Sequence, residues 1–199
     1  DVLVPRPETE LLVDAALEVA RAADGPVRLW DLCTGSGCVP VAAARYAPNL
    51  TALASDISEA ALAVAAANVA AHELDDRIRL ERADLFDAAA EATGQEGFHV
   101  ITANPPYVSE GDYEDLSPQV RREPAVALRA GADGLEVIRA IAAGAAERLA
   151  PGGTLAVEIG MGQADAVHDL LTDAGGYEDI RFRKDPAGIE RTAVARRAT

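Results

Sequence analysis

The sequence predicts an α/β fold in which helices cover both faces of a mostly parallel, seven-stranded sheet with an antiparallel edge. Three observations predict it. Short apolar runs of strand length alternate with segments of helical period. The first run ends in a glycine turn that opens directly into a helix. The last two runs follow one another with no helix between them, which makes an antiparallel pair at one end of an otherwise parallel sheet.

Pro5 and Pro7 precede a first helix over 8–23, whose Leu11, Leu12, Ala15, Ala16, Val19 and Ala20 recur at helical spacing and which Gly25-Pro26 closes. Residues 27–32 form the first strand, 33–37 the glycine turn and 38–46 the helix that follows it. The alternation repeats as strand 51–55, helix 58–72, strand 77–82 and strand 98–103. Beyond these, 134–149 reads as helix, Pro151-Gly152-Gly153 as a turn, 154–159 as strand and 164–174 as helix. Strands 177–183 and 191–195 complete the sheet. No repeat period and no Pro- or Ser/Gly-rich linker interrupts the chain, so residues 1–199 are read as one domain.

Composition narrows the function. Hydrophobic residues make up 49% and charged residues 26% of the 199, which is ordinary for a folded chain and allows a core without disulfides. No apolar run approaches the roughly 18 residues of a membrane span, so no membrane partner is expected. With 18 Lys and Arg against 33 Asp and Glu the net charge is −15, which argues against a broad nucleic-acid surface, because such binding draws on cations that neutralise phosphates. The positive charge that exists, Arg181, Arg183, Lys184, Arg191, Arg196 and Arg197, crowds the C-terminus; Glu110, Asp112, Glu114 and Asp115 form an acidic stretch. Both read as solvated faces. Cys33 and Cys38 are too close to staple a scaffold and lack the partners of a zinc site, so no metal is expected and a reducing, cytoplasmic setting fits. Residues 1–10 are not a signal peptide and carry no initiator Met, which suggests that more chain lies upstream.

An open α/β sheet places its ligands at the carboxyl ends of its strands. The first such end is Asp31-Leu32-Cys33-Thr34-Gly35-Ser36-Gly37. A phosphate-cradling loop needs a lysine that is missing here, a dinucleotide fingerprint is spoiled by Pro40, and a nucleophile elbow needs glycines where Thr34 and Cys38 stand. What remains is an acidic residue before a short glycine turn, an arrangement found in enzymes that bind S-adenosylmethionine; the alternative is a tight turn without a ligand. Asp56, about 20 residues further on at the next strand tip, suits a bidentate bond to ribose hydroxyls, and it also suits a helix cap together with Ser58. Asp84, after the third strand, suits an adenine amino group or a plain loop.

The fourth strand ends in Asn104-Pro105-Pro106-Tyr107, the most specific feature of the chain. Two prolines fix the backbone and remove two donors, leaving carbonyls beside an amide and a ring. Such a site accepts a planar NH₂: the Asn104 oxygen and the Pro105 carbonyl take its two hydrogens, Tyr107 covers its plane, and the lone pair is aimed at an electrophile without an ionised base.

Together with the glycine turn, this loop resembles the amino-methyltransferases that use S-adenosylmethionine. Val4-Pro5-Arg6-Pro7-Glu8-Thr9-Glu10, the stretches over 122–128 and 131–135, Leu149-Ala150-Pro151-Gly152-Gly153, Glu158-Ile159-Gly160 and Gln163 narrow the likeness to the peptide chain release factor glutamine N5-methyltransferases. The resemblance spans nearly the whole chain. It implies a Rossmann-like class I methyltransferase fold and methyl transfer to the glutamine of a Gly-Gly-Gln loop, with release factors as partners. It further implies that Asp31 and Cys33 to Gly37 line the methionine end of the cofactor, Asp56 the ribose, and Asp84 with Leu85 the adenine. Asn104, Pro105, Pro106 and Tyr107 would hold the substrate amide, Asn104 also bordering the cofactor, and Arg6, Glu8 and Thr9 would close over it. Two positions depart from the pattern: Cys33 replaces the first glycine of the turn, where a positive φ becomes costly, and Leu85 stands where some members carry Trp. The family's N-terminal helical domain is absent from this chain, which reads as the catalytic part of a longer enzyme. The main alternative is an adenine N6 methyltransferase acting on nucleic acid, since a flipped base presents the same NH₂; a non-catalytic domain binding cofactor and protein is a further one.

Overall fold

The computed structural model describes residues 2–87 and 97–199. After a 3₁₀ turn at Pro7–Thr9 come α1 (Glu10–Ala22), β1 (Val27–Leu32), α2 (Cys38–Tyr46), β2 (Leu50–Asp56), α3 (Glu59–Ala71), β3 (Ile78–Arg82) and β4 (Phe98–Ala103). Then follow α4 (Glu110–Asp115), α5 (Glu136–Ala145), β5 (Leu149–Glu158), α6 (Ala164–Ala174), β6 (Tyr177–Lys184) and β7 (Glu190–Arg197). Among the described residues seven strands form one sheet in the order β3-β2-β1-β4-β5-β7-β6. The first five run parallel to one another, and β7 runs antiparallel to both β5 and β6.

The pleat sends alternate side chains to opposite faces, and both faces are apolar because both are covered. Leu29, Val100 and Ala52 pack against Leu17 of α1, Val41 of α2 and Val69 of α3. On the other face Trp30, Ile101 and Leu155 pack against Ile138 and Ile141 of α5 and Leu171 of α6. Trp30 is fully buried there, with Phe98 and Phe86 against its ring and its indole N–H donating to Ser55 Oγ at 2.9 Å. The C-terminal end of α2 is tied to the sheet by Arg77, whose guanidinium donates to the carbonyls of Ala44, Ala47 and Leu50.

The elements depart from the sequence reading in three places. The first helix begins as the 3₁₀ turn around Pro7 before α1 proper. The acidic stretch 110–115 is a short helix capped by Ser109, whose Oγ accepts the N–H of Asp112. The helix expected over 134–149 ends at Ala145, because the Tyr177 hydroxyl sits in its hydrogen-bond ladder: it donates to the Ala142 carbonyl at 2.7 Å and accepts the Ala146 N–H at 3.0 Å. The chain then enters β5 early. Leu149 pairs with Phe98 and Thr154 with Val100, so the expected turn at 151–153 is a bulge inside a strand.

Candidate active site

The penultimate residue of β1, Asp31, is 2% exposed and accepts the hydroxyls of Thr34 and Thr102 at 2.6 Å each. Burial pushes its carboxyl up to about 7, against the pull of those two hydroxyls. The chain then reverses through Cys33 (φ 53), Gly35 (φ 55) and Gly37 (φ 75). Cys33 therefore does adopt the left-handed backbone of a glycine, at a cost of about 1–3 kcal/mol for a side chain with a Cβ. Gly37 has a second constraint, since a Cβ there would lie 3.1 Å from Ala65 Cβ of α3. Both cysteine thiols are raised, chiefly by burial.

Asp56 ends β2 beside this turn. Its Oδ2 accepts the N–H of Gly35 and its Oδ1 that of Ser58, both at 2.9 Å. Ser58 in turn caps α3 through Ala61. Each Asp56 oxygen keeps a second lone pair, so these bonds leave it able to accept further hydrogens.

A cavity of about 420 Å³ opens over these strand ends. Asp31, Cys33, Thr34, Gly35 and Ser36 form one wall, Asp56 the next, and Asp84 with Leu85 a third. Leu85 also has positive φ, 46°, so two of the described non-glycine residues in this conformation border one cavity. Asn104 and Pro106 line it from the loop after β4, whereas Gly37, Pro105 and Tyr107 stand outside the lining.

At the β4 end, Asn104 Nδ2 donates to Thr9 Oγ1 at 3.2 Å, and Thr9 Oγ1 donates to Glu158 Oε2 at 2.8 Å. The Tyr107 hydroxyl lies 3.4 Å from the other oxygen, Oε1, as a donor. Glu158 is 1% exposed; burial raises its carboxyl and the Thr9 hydroxyl opposes that rise. Tyr107 is pushed up to about 12 by burial and by the Glu158 charge, so its hydroxyl keeps its proton. The main chain of the loop is held separately. Gln163 Nε2 donates to the carbonyls of Tyr107 (3.1 Å) and Gly134 (3.3 Å), while Gln163 Oε1 accepts the Gly160 N–H at 2.8 Å. Arg6 pairs with Glu123 at 2.6 Å and joins the N-terminal segment to the stretch at 122–128; their neighbours Pro5 and Pro124 line the cavity.

Among the described residues no group of three or more His, Cys, Asp or Glu could hold a metal, and no helix is long and apolar enough to cross a membrane. The C-terminal cations are mostly paired: Arg183 with Glu18, Lys184 with Glu190, Arg191 with Asp185, Arg196 with Asp179, and Arg197 with the Leu149 carbonyl.

Residues 8–131 match the family model described as the methyltransferase small domain. A release factor glutamine methyltransferase of Bordetella pertussis is 42% identical over 191 residues, covering 96% of this chain and 68% of the relative. The chain belongs to the release factor glutamine methyltransferases. A further member, from Gloeobacter violaceus, is 44% identical over 194 residues, with 97% of this chain and 66% of the relative covered, so the chain spans about two thirds of the length of these relatives. The solved structure of a release factor-specific protein-(glutamine-N5) methyltransferase from Alicyclobacillus acidocaldarius superposes with a TM-score of 0.61 at 29% identity, covering 98% of this chain and 95% of the other. The fold is accordingly the Rossmann-like class I methyltransferase fold.

Of the residues read from the sequence, those of the glycine turn up to Ser36, Asp31, Asp56, Asp84, Leu85, Asn104 and Pro106 border one cavity, whereas Gly37, Pro105 and Tyr107 do not. What the sequence did not disclose is the contact of Thr9 with Asn104 and the position of Glu158 behind both. The repeated carboxylate-then-glycine pattern at the β5 end, Glu158-Ile159-Gly160, parallels Asp31 at the β1 end and was the available signal.

Proposed function

We propose that the chain transfers a methyl group from S-adenosylmethionine to the side-chain amide nitrogen of the glutamine in the Gly-Gly-Gln motif of peptide chain release factors. The observation that carries this reading is that Asn104 and Pro106 line the same cavity as the glycine turn, so an amide held by the Asn-Pro-Pro-Tyr loop faces a ligand held by the turn. The names of the relatives support the substrate.

S-adenosylmethionine, when bound, supplies a methyl group on an electron-poor sulfur. The residues present fit it: left-handed backbone at Cys33 and Gly35 leaves room for close approach, Asp31 favours a cationic group, Asp56 keeps lone pairs for ribose hydroxyls, and Asp84 with Leu85 borders the adenine. Held here, the cofactor would offer that methyl group to the amide nitrogen, which would give up one of its two hydrogens as a proton to solvent. Asn104 Oδ1 and the Pro105 carbonyl accept its two hydrogens and turn its lone pair toward the methyl group; Tyr107 covers the amide plane and excludes water. Transfer rests on positioning, with no ionised base.

This chain is read as the catalytic domain, working in the cytoplasm on a protein substrate. An adenine N6 reading is disfavoured by the net charge of −15 and by the pairing of the C-terminal cations. The test is incubation with labelled S-adenosylmethionine, purified release factors and nucleic acid, followed by mapping of the label by mass spectrometry. Label on the Gly-Gly-Gln glutamine is expected; label on adenine, or none, would overturn the reading.

A further inference from the structure

An asparagine amide can face a site with either end, and the two ends recognise opposite partners: the oxygen accepts from an NH₂, whereas the NH₂ donates to a carbonyl or carboxylate. Something must choose. Asn104 has one hydrogen-bond partner among the described residues, Thr9 Oγ1, and that hydroxyl has a single proton. The proton is directed at Glu158 Oε2, 2.8 Å away, and that oxygen accepts it. Thr9 is left with lone pairs to offer Asn104, so Asn104 must present Nδ2 to it and turn Oδ1 the other way. The second Glu158 oxygen takes the Tyr107 hydroxyl, the other flank of the loop.

We propose that Glu158, acting through Thr9, fixes the polarity of the Asn104 amide and so makes the site select a substrate that offers two hydrogens, an amide NH₂, over an isosteric carboxylate. Glu158 and Thr9 are positioning residues, since neither needs to touch the substrate. The inference rests on the glutamine reading above for its substrate, while the chain of bonds itself is a property of the protein alone. The arrangement has a cost that a plain structural contact would not need. A carboxylate buried to 1% exposure on the last residue of β5 is retained where an apolar side chain would pack, and its two oxygens serve residues from the N-terminal turn and the β4 loop, 149 and 51 positions away.

Three variants test this. Thr9→Val keeps the shape and removes the hydroxyl; Thr9→Ser restores it; Glu158→Gln can donate to Thr9 and so permits the whole chain of bonds to reverse. The protein holds three asparagines, Asn49, Asn68 and Asn104, so ¹⁵N-asparagine labelling resolves the Asn104 NH₂ by NMR in the full chain whether or not it turns over. That signal should keep its shift and exchange protection in Thr9→Ser and lose both in Thr9→Val and Glu158→Gln. With release factor and S-adenosylmethionine, transfer should slow by roughly 10- to 100-fold in Thr9→Val and Glu158→Gln, as expected of a misaimed amide, and recover to within a few-fold in Thr9→Ser. A release factor whose motif glutamine is replaced by glutamate should compete poorly against wild type and distinctly better against Glu158→Gln. An Asn104 signal indifferent to Thr9→Val and Glu158→Gln would overturn the inference, as would Thr9→Ser proving as slow as Thr9→Val. No methyl transfer by wild type would overturn the substrate reading instead, and the NMR result would still decide the polarity.

Discussion

The backbone N–H of Gly35 donates to Oδ2 of Asp56 at 2.9 Å, so the glycine turn after β1 is pinned to the tip of β2 before any ligand arrives. One carboxylate thus shapes the turn and keeps acceptor capacity for a second set of hydroxyls.

Replacing Asp56 by Ala should therefore affect binding and shape together. Loss of charge-assisted hydrogen bonds predicts a rise of roughly 10- to 100-fold in the Kd for S-adenosylmethionine. Titration calorimetry measures it; an unchanged Kd would leave Asp56 as a helix cap and nothing more.

Asn104→Ala should separate the two halves of the site. Cofactor affinity should stay within a few-fold of wild type, because the turn and Asp56 are intact, while single-turnover transfer falls by roughly 100-fold or more. Parallel losses in calorimetry and in transfer would remove Asn104 from the acceptor role.

Asp31 predicts a pH dependence with a definite sign. Its carboxyl is raised from the ordinary 3.8 to about 7, so between those values the folded protein binds a proton that the unfolded chain has released. Stability of the free protein should fall as pH rises through that window, and Asp31→Asn should flatten the fall. A cation placed beside Asp31 favours the ionised form, so S-adenosylmethionine should bind more tightly as pH rises toward neutrality and release a proton at about pH 6. Calorimetry in two buffers of different ionisation enthalpy reads that proton directly; a Kd that does not vary from about pH 5.5 to 8 would refute the coupling.

Gly134 has φ 74 and leaves no space: a Cβ there would lie 2.6 Å from the Tyr107 carbonyl oxygen and 3.1 Å from Ser109 N. Gly134→Ala should displace the end of the Asn-Pro-Pro-Tyr loop, costing about 1–3 kcal/mol of stability and slowing transfer with little change in cofactor affinity. Denaturant titration and single-turnover rates check it, and a variant as fast and as stable as wild type would show that the loop yields freely.

Trp30 is the single tryptophan, and its indole N–H satisfies buried Ser55. Trp30→Phe leaves both a void and an unpaired hydroxyl, which predicts a loss of roughly 2–4 kcal/mol in circular-dichroism unfolding. A loss below about 0.5 kcal/mol would mean that the ring is not packed as described.

What could be read from the sequence was local. Seven strands, the glycine turn and the Asn-Pro-Pro-Tyr loop each sit within a few consecutive residues, so spacing and residue type disclose them. Asp56 was legible because the distance from a glycine turn to the next strand tip is set by one helix and one strand. The bond from Thr9 to Glu158 joins residues 149 apart, and Asn104 to Thr9 spans 95; no periodicity encodes such a pairing. The early end of α5 was hidden for the same reason, since the hydroxyl that takes over its ladder belongs to Tyr177, far downstream. The bulge in β5 was hidden by its own chemistry, because Pro151-Gly152-Gly153 has the composition of a turn and is instead absorbed between two paired residues.

The strand order carries a kinetic consequence. β7, the final strand of this chain, lies between β5 and β6 and is hydrogen-bonded to both. The edge strand is therefore made before the interior strand that attaches it, and on the ribosome β6 must wait, unpaired, until β7 emerges. Clipping the chain ahead of Glu190 would then remove an inner rung and leave two exposed edges, on β5 and β6, open to pairing with other chains.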